Sequence, residues 1–173
     1  YEERGQYAVL LKPRIDNRDS EYEVCSRIGL SAPAGYVDDF FKEISVTWNK
    51  ENTEYMYHEK KVDAVLIDEA QFLSTEEVDK LSDIVDFCNI PVLCYGLRTD
   101  FQNHLFPGSK RLMELADVIE EVPTVCWCGK RAQCNTRYAD GKIVREGEQL
   151  MLGSNESYVA LCRKHYKEGK LWR

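Results

Sequence analysis

Apolar residues gather along this chain in short runs that stop at turn-forming or acidic residues. Tyr7 to Leu11 runs into Lys12-Pro13, Ala64-Val65-Leu66-Ile67 ends in Asp68-Glu69, and the run from Ile90 to Tyr95 ends at Gly96. Short continuous runs of this kind predict strands buried on both faces and stopped by loops. Between the second and third the spacing turns helical, with Val78, Leu81, Ile84, Val85 and Cys88 apolar. Ser74-Thr75-Glu76-Glu77 precedes it, so Ser74 caps and Glu77 completes a capping box. Strand, helix, strand predicts a parallel sheet with a right-handed crossover. A further helix is predicted from about Ser109 to Ala116, with Leu112, Leu115 and Ala116 inward, and Val118-Ile119 opens another buried strand. From Thr124 onward the pattern breaks into alternating short runs rich in Cys, Gly, Arg and Tyr, which predicts a small β-rich module with a long loop. The expected boundary lies at Val122-Pro123, giving an α/β domain over 1–122 and a β-rich module over 123–173.

Composition narrows the class. With 173 residues, 43% of them hydrophobic, the chain can bury one substantial core and a small satellite. No run approaches the roughly 18 to 20 apolar residues of a membrane span. Tyr1 to Gln6 is polar and lacks a signal-peptide pattern, so a soluble cytoplasmic protein with no membrane partner is expected. A net charge of -7 argues against broad contact with a nucleic-acid backbone. An anionic small substrate then needs a local basic pocket or a metal. The seven cysteines are odd in number and three sit at metal-ligand spacing, which favours reduced thiols over a disulfide framework.

Cys126-Trp127-Cys128-Gly129 offers two thiolates on one tight turn, and Cys162-Arg163-Lys164-His165 offers a thiolate and an imidazole one helical turn apart. Zinc takes four N or S ligands in a tetrahedron, and Gly129 permits the left-handed backbone of a knuckle. With no position left open to water, the predicted zinc is structural. The competing reading makes these cysteines small buried hydrophobes, and Cys-x-Cys is the less common ligand spacing. Cys25, Cys88, Cys94 and Cys134 are read as packing residues, with Cys134 near enough to the knuckle to mimic a ligand. The 33 residues from Gly129 to Leu161 must form a hairpin and a long loop. Carrying Gly147, Gly153, Ser154, Asn155 and Tyr158, that loop is placed either to close over a ligand or to lie on the surface without one.

Val65-Leu66-Ile67-Asp68-Glu69-Ala70-Gln71-Phe72 has the form of a Walker B strand, with carboxylates emerging at the carboxyl end, where open α/β sheets bind ligands. The first acid can hold magnesium through water and the second can take a proton from an attacking hydroxyl. Acidic pairs also end many strands simply on solvent.

These residues resemble the type II thymidine kinases, the cytosolic zinc-containing kind, in their bacterial branch. The matching motifs are Ile15-Asp16-Asn17-Arg18, Ser26-Arg27-Ile28-Gly29, Asp68 to Phe72, Tyr95 to Phe101, the Cys126 to Gly129 knuckle, and Gly153 to Tyr158 leading to Cys162-Arg163-Lys164-His165-Tyr166. The resemblance implies a P-loop (RecA-like) parallel sheet with helices on both faces, and a zinc-binding module carrying a lasso loop. It implies transfer of the γ-phosphate of ATP to the 5′-hydroxyl of thymidine, and also of deoxyuridine, in pyrimidine deoxynucleotide salvage. Glu69 is then the general base. Asp68, Ala70 and Gln71 belong to the nucleotide and magnesium site, with Asp16 and Arg18 near the phosphates. Phe72, Leu97 and Phe101 wall the thymine, although each is equally explicable as ordinary core. Asn135 and Met151 fall at variable pocket positions, Gly153 lies on the lasso, and Tyr158 stands near the deoxyribose. Feedback inhibition by thymidine triphosphate and a homotetramer are implied in the same way.

The family's Gly-x-x-x-x-Gly-Lys-Ser/Thr loop has no counterpart in residues 1–173, and Tyr1 to Gly5 resembles the end of the helix that follows it. The expectation is that the chain begins inside the natural protein. Two other readings compete. A DExx-box nucleic-acid ATPase fragment with a zinc ribbon shares Asp68-Glu69-Ala70-Gln71, but net charge and length oppose it. A catalytically silent nucleotide sensor would account for the absent loop.

Overall fold

The computed structural model describes residues 1–14, 22–25, 29–48, 53–149 and 157–172. The chain divides into two compact units, Tyr1–Leu97 with Pro107–Leu115, and Arg98–Phe106 with Ala116–Arg173.

The first unit opens with a 3-10 turn, Glu2–Arg4, and continues through β1 (Ala8–Lys12), β2 (Glu23–Cys25), β3 (Ser31–Pro33) and β4 (Gly35–Tyr36) to helix α1 (Val37–Glu43). There follow β5 (Ser45–Trp48), β6 (Thr53–Tyr57), β7 (Lys60–Lys61), β8 (Ala64–Ile67), a 3-10 turn at Ala70–Phe72, α2 (Thr75–Cys88), β9 (Val92–Cys94) and α3 (Pro107–Leu115). Among the described residues the principal sheet runs β4-β1-β8-β9 and is parallel throughout, with Leu11 opposite Gly35, Val9 opposite Val65 and Ile67 opposite Cys94. Its strands are apolar runs because both faces are covered. Val9, Leu11, Val65 and Ile67 pack with Val37 and Phe40 of α1 and Val78, Leu81 and Ile84 of α2 in one core. The fold class is therefore α/β with a parallel sheet, joined by a small antiparallel β-rich region.

Helix α2 starts where its capping box predicts. The Glu77 N–H donates to Ser74 Oγ at 3.1 Å, and the Ser74 N–H donates to Glu77 Oε2 at 2.8 Å. It ends at Asn89, whose φ of 54° closes the last turn.

Several expectations need correction. Val118 and Ile119 form no strand: they are 74% and 61% exposed, and residues 116–123 pair with no ladder among the described residues. They lie between Asp117 and Glu120-Glu121, and two apolar side chains without a paired edge do not make a buried strand. On α3 only Leu112 of the three expected inward residues packs against the core. Leu115 and Ala116 are exposed, because the helix buries its start, at Gly108 and Ser109. Cys25, expected to pack, is exposed on β2. Two small antiparallel sheets, β2-β3 and β5-β6-β7, were not anticipated.

The second unit contains β10 (Thr124–Val125), β11 (Arg131–Ala132), β12 (Cys134–Ala139), β13 (Lys142–Ile143), β14 (Ser157–Leu161) and α4 (Arg163–Glu168). β10 and β11 form a hairpin, and β13-β12-β14 an antiparallel sheet with Cys134 opposite Leu161. Among the described residues no helix is long and apolar enough to cross a membrane.

Candidate active site and metal centre

Strand β8 stops at Ile67, so Asp68 and Glu69 stand on the turn beyond it and not on the strand itself. That turn is fastened to both neighbouring strands. The Asp68 N–H donates to Leu11 O at 3.0 Å on the β1 side, and the Ala70 N–H donates to Tyr95 O at 2.8 Å on the β9 side. Glu69 adopts a left-handed conformation (φ 51°, ψ 37°), uncommon for a residue with a Cβ and held here by the surrounding bonds. Its N–H donates to Asp68 Oδ1 at 2.9 Å. The fully buried Gln71 side chain donates through Nε2 to Glu69 Oε2, and its Oε1 accepts from the Leu97 N–H at 2.9 Å. A half-buried carboxylate is thereby fixed at the carboxyl end of a parallel strand, where proton abstraction or cation binding is chemically available. Phe72 is half-buried on the same turn, and Leu97 is 41% exposed after β9.

The other sequence-predicted residues lie elsewhere. Phe101, Asn135 and Tyr158 belong to the second unit, where Phe101 is 1% and Tyr158 46% exposed. Asp16, Arg18, Met151 and Gly153 lie outside the described residues.

In the second unit the predicted ligands converge. The donor atoms of Cys126, Cys128, Cys162 and His165 all lie within 4.8 Å of one another. Cys126 Sγ stands 3.4 Å from His165 Nδ1, and Cys128 Sγ stands 4.0 Å from Cys162 Sγ. A zinc tetrahedron with bonds of about 2.3 Å has edges of about 3.8 Å, so the donor set fits such an ion in both chemistry and size. Local folding explains the convergence. The β10-β11 hairpin turns through a knuckle in which the Gly129 N–H donates to Cys126 O at 2.8 Å, with Gly129 at φ 83°. Cys162 stands at the N-terminal boundary of α4, three residues before His165, so the two side chains share one helical face. The Trp127 ring stacks on His165, centroids 4.1 Å apart and planes 7° from parallel, and its Nε1–H donates to Lys170 O at 3.3 Å.

Burial pushes the Cys126 thiol up, but hydrogen bonds from the backbone of Cys128 and Cys162 and from His165 outweigh it and bring the thiol to about 6. A thiol so lowered is readily a metal-binding thiolate. Cys134 is buried in β12 and stands outside this group, its thiol raised by desolvation.

The chain thus combines an α/β parallel-sheet unit, with ordered acids past a central strand, and a Cys3His cluster that could hold a metal ion. The thymidine kinase family model matches residues 1–166. A thymidine kinase of Legionella pneumophila (strain Paris) is 47% identical over 171 residues, covering 98% of this chain and 79% of the relative. One from Haemophilus influenzae (strain KW20 / Rd) is 46% identical over 172 residues (97% and 84%), and one from Enterobacteria phage T4 is 47% identical over 169 residues (97% and 84%). The chain belongs to the thymidine kinase family, a family of ATP-dependent phosphotransferases, in its bacterial and phage branch. That membership sets aside the DExx-box reading.

Sequence reading passed over three residues of the second unit that the structure makes prominent. Arg137 is fully buried, Asp100 is 3% exposed, and Gln149 donates to Asp100 Oδ2 at 2.9 Å. Alternation along β12 offered no sign of the buried arginine, since it puts Arg137 on the face opposite Cys134 and Thr136, where a cation is expected to meet water.

Proposed function

We propose that this chain transfers the γ-phosphate of ATP to the 5′-hydroxyl of thymidine, and of deoxyuridine, in pyrimidine deoxynucleotide salvage. The observation that carries the reading is the Asp68-Glu69 pair held beyond β8 in a chain of this family. Phosphoryl transfer asks the protein for positioning and charge stabilisation more than for covalent chemistry. Glu69 takes the proton of the attacking hydroxyl, with Gln71 fixing the carboxylate and the left-handed backbone aiming it away from the strand. Asp68, whose Oδ2 accepts no hydrogen bond among the described residues, would hold the magnesium that accompanies ATP. That ion supplies neutralisation of phosphate charge. In the first unit Phe72 and Leu97 offer apolar surface to the base; in the second the family resemblance assigns Tyr158 to the deoxyribose and Asn135 to a variable pocket position, while Phe101, 1% exposed, supports from beneath the surface.

The metal of the Cys126, Cys128, Cys162 and His165 site is zinc in this reading, and its role is structural. Residues 1–122 form the kinase part and 123–173 the zinc-binding part. A cytoplasmic homotetramer inhibited by thymidine triphosphate completes the proposal, on the strength of the family resemblance.

The test is a phosphoryl-transfer assay of the full-length protein with ATP, magnesium and each of the four deoxynucleosides and deoxyuridine. Turnover confined to thymidine and deoxyuridine is expected, and turnover of no nucleoside refutes the function. Glu69→Gln is expected to lose about 10²- to 10⁴-fold in kcat with zinc content unchanged. Undiminished turnover in that variant refutes the base assignment alone.

A further inference from the structure

Arg137 is a cation with no exposed surface. Its Nε donates to the Tyr158 hydroxyl at 2.9 Å, its Nη1 to Glu148 O at 3.0 Å, and its Nη2 to Gln149 O at 3.2 Å. The guanidinium carbon lies 3.8 Å from the centroid of the Phe101 ring, at stacking distance. A buried charge is a weak source of stability, because desolvation offsets what its bonds return, and an aliphatic side chain would fill the same space without that cost. What a guanidinium adds is geometry: a rigid planar fork whose donors diverge at fixed angles.

The fork's targets share one property. Glu148-Gln149 and Tyr158 stand on either side of residues 150–156; Tyr158 already lies opposite Arg137 in the β12-β14 ladder, so what the side chain adds is the tie of Glu148-Gln149 to β12 and the hold on the Tyr158 hydroxyl. A second tie runs beside it. Gln149 Nε2 donates to Asp100 Oδ2, while Asp100 Oδ1 accepts from the N–H groups of Gln102 and His104, each at 2.9 Å. Tyr158 as a residue remains 46% exposed although its hydroxyl is held, which leaves surface for a ligand.

We propose that Arg137 is the positioning residue of the nucleoside-binding surface. Packed on the buried Phe101 ring, it fixes the Tyr158 hydroxyl and the main chain of Glu148-Gln149, so that a nucleoside meets preformed contacts and need not order them on binding. The inference rests on the reading that Tyr158 addresses the deoxyribose. It is specific to nucleoside binding, and the handling of ATP is outside its reach.

The test is hydrogen exchange and steady-state kinetics on the full-length enzyme carrying Arg137→Met, with Arg137→Lys and Gln149→Ala beside it. In Arg137→Met the amides of residues 145–149, which among the described residues the guanidinium alone ties to β12, should exchange faster without nucleoside. The thymidine KM should rise on the order of tenfold or more, with the ATP KM and zinc content unchanged. Arg137→Lys keeps the charge without the fork and should recover little of the loss. Gln149→Ala cuts the second tie without entering the core and should shift the thymidine KM in the same direction by less, which keeps the idea testable should Arg137→Met fail to fold. Unchanged exchange in Arg137→Met overturns the proposal, because the guanidinium then ties nothing. Faster exchange with an unmoved thymidine KM also overturns it, and places the error in the reading of Tyr158 as a nucleoside contact. A parallel rise in both KM values would mark Arg137 as structural only.

Discussion

Two glycines next to the acidic turn show how differently the same added methyl acts. A Cβ at Gly108 would stand 2.5 Å from Leu73 O and 2.9 Å from both Ala70 O and Gln71 O, all backbone atoms that cannot swing aside. Gly108→Ala is therefore expected to cost about 3 kcal/mol, the upper part of the overpacking range, read as a lowered denaturation midpoint. A Cβ at Gly96 would stand 2.5 Å from Gln71 Oε1, a side-chain atom, with Gln71 N at 3.0 Å. Gln71 can yield there, but it also holds Glu69 and the Leu97 N–H. Gly96→Ala should thus lose more activity than stability, with kcat/KM for thymidine lower by about tenfold or more and a midpoint less displaced than that of Gly108→Ala. A larger stability loss at Gly96 than at Gly108 would contradict this account of Gln71. In the sequence Gly96 reads only as the stop of a strand, and Gly108 carries no signal. Close approach of backbones is a property of two distant segments, and no local pattern spells it.

Elements were legible where local chemistry alone decides them. β1 and β8 are apolar runs with abrupt stops, and α2 carries its own start signal in Ser74 and Glu77. The capping box satisfies donors that the first turn leaves unpaired, so Ser74→Ala is expected to destabilise by about 1 kcal/mol. For a chain of this length that lowers Tm by about 2–4 °C, and an unshifted Tm would mean the cap contributes nothing. Where tertiary context decides, the pattern misled. Val118-Ile119 and Leu115 read as buried because they are apolar, yet a pattern states only which residues can be buried, never what will cover them. The β5-β6-β7 sheet failed to register for a different reason: its strands are short and mix aromatic with polar residues, as in Thr53–Tyr57, so neither a continuous apolar run nor a clean alternation marks them.

At the scale of the whole molecule, the change of composition after Val122 marks a single point on the chain, whereas the second unit also gathers Arg98–Phe106. That segment is fastened by Asp100 to Gln149 and by Tyr166, whose hydroxyl donates to Phe101 O at 2.9 Å, pairings that span 49 and 65 residues. The convergence of the Cys/His cluster was legible across a similar separation because metal chemistry restricts ligand types and spacings so tightly that two short motifs identify each other. Its energetic weight follows from what surrounds it. Among the described residues the second unit's apolar cluster has five buried members, Cys126, Ala132, Leu161, Cys162 and Leu171, and two of them belong to the candidate metal cluster. So small a core does not repay the ordering of its chain, whereas a structural zinc contributes about 10–16 kcal/mol in small modules. The parallel sheet and its helices have a separate core with fourteen buried members. Stripping the metal with a chelator, or replacing Cys162 with Ser, should therefore unfold the second unit selectively. The readouts are zinc content near one per chain before treatment, loss of the Trp127 near-ultraviolet signal that stacking on His165 produces, and retention of most helical signal from α1, α2 and α3. An unaltered Trp127 signal after metal loss would mean that hydrogen bonds and packing alone hold the knuckle, and the assignment of a structural metal would fall with it.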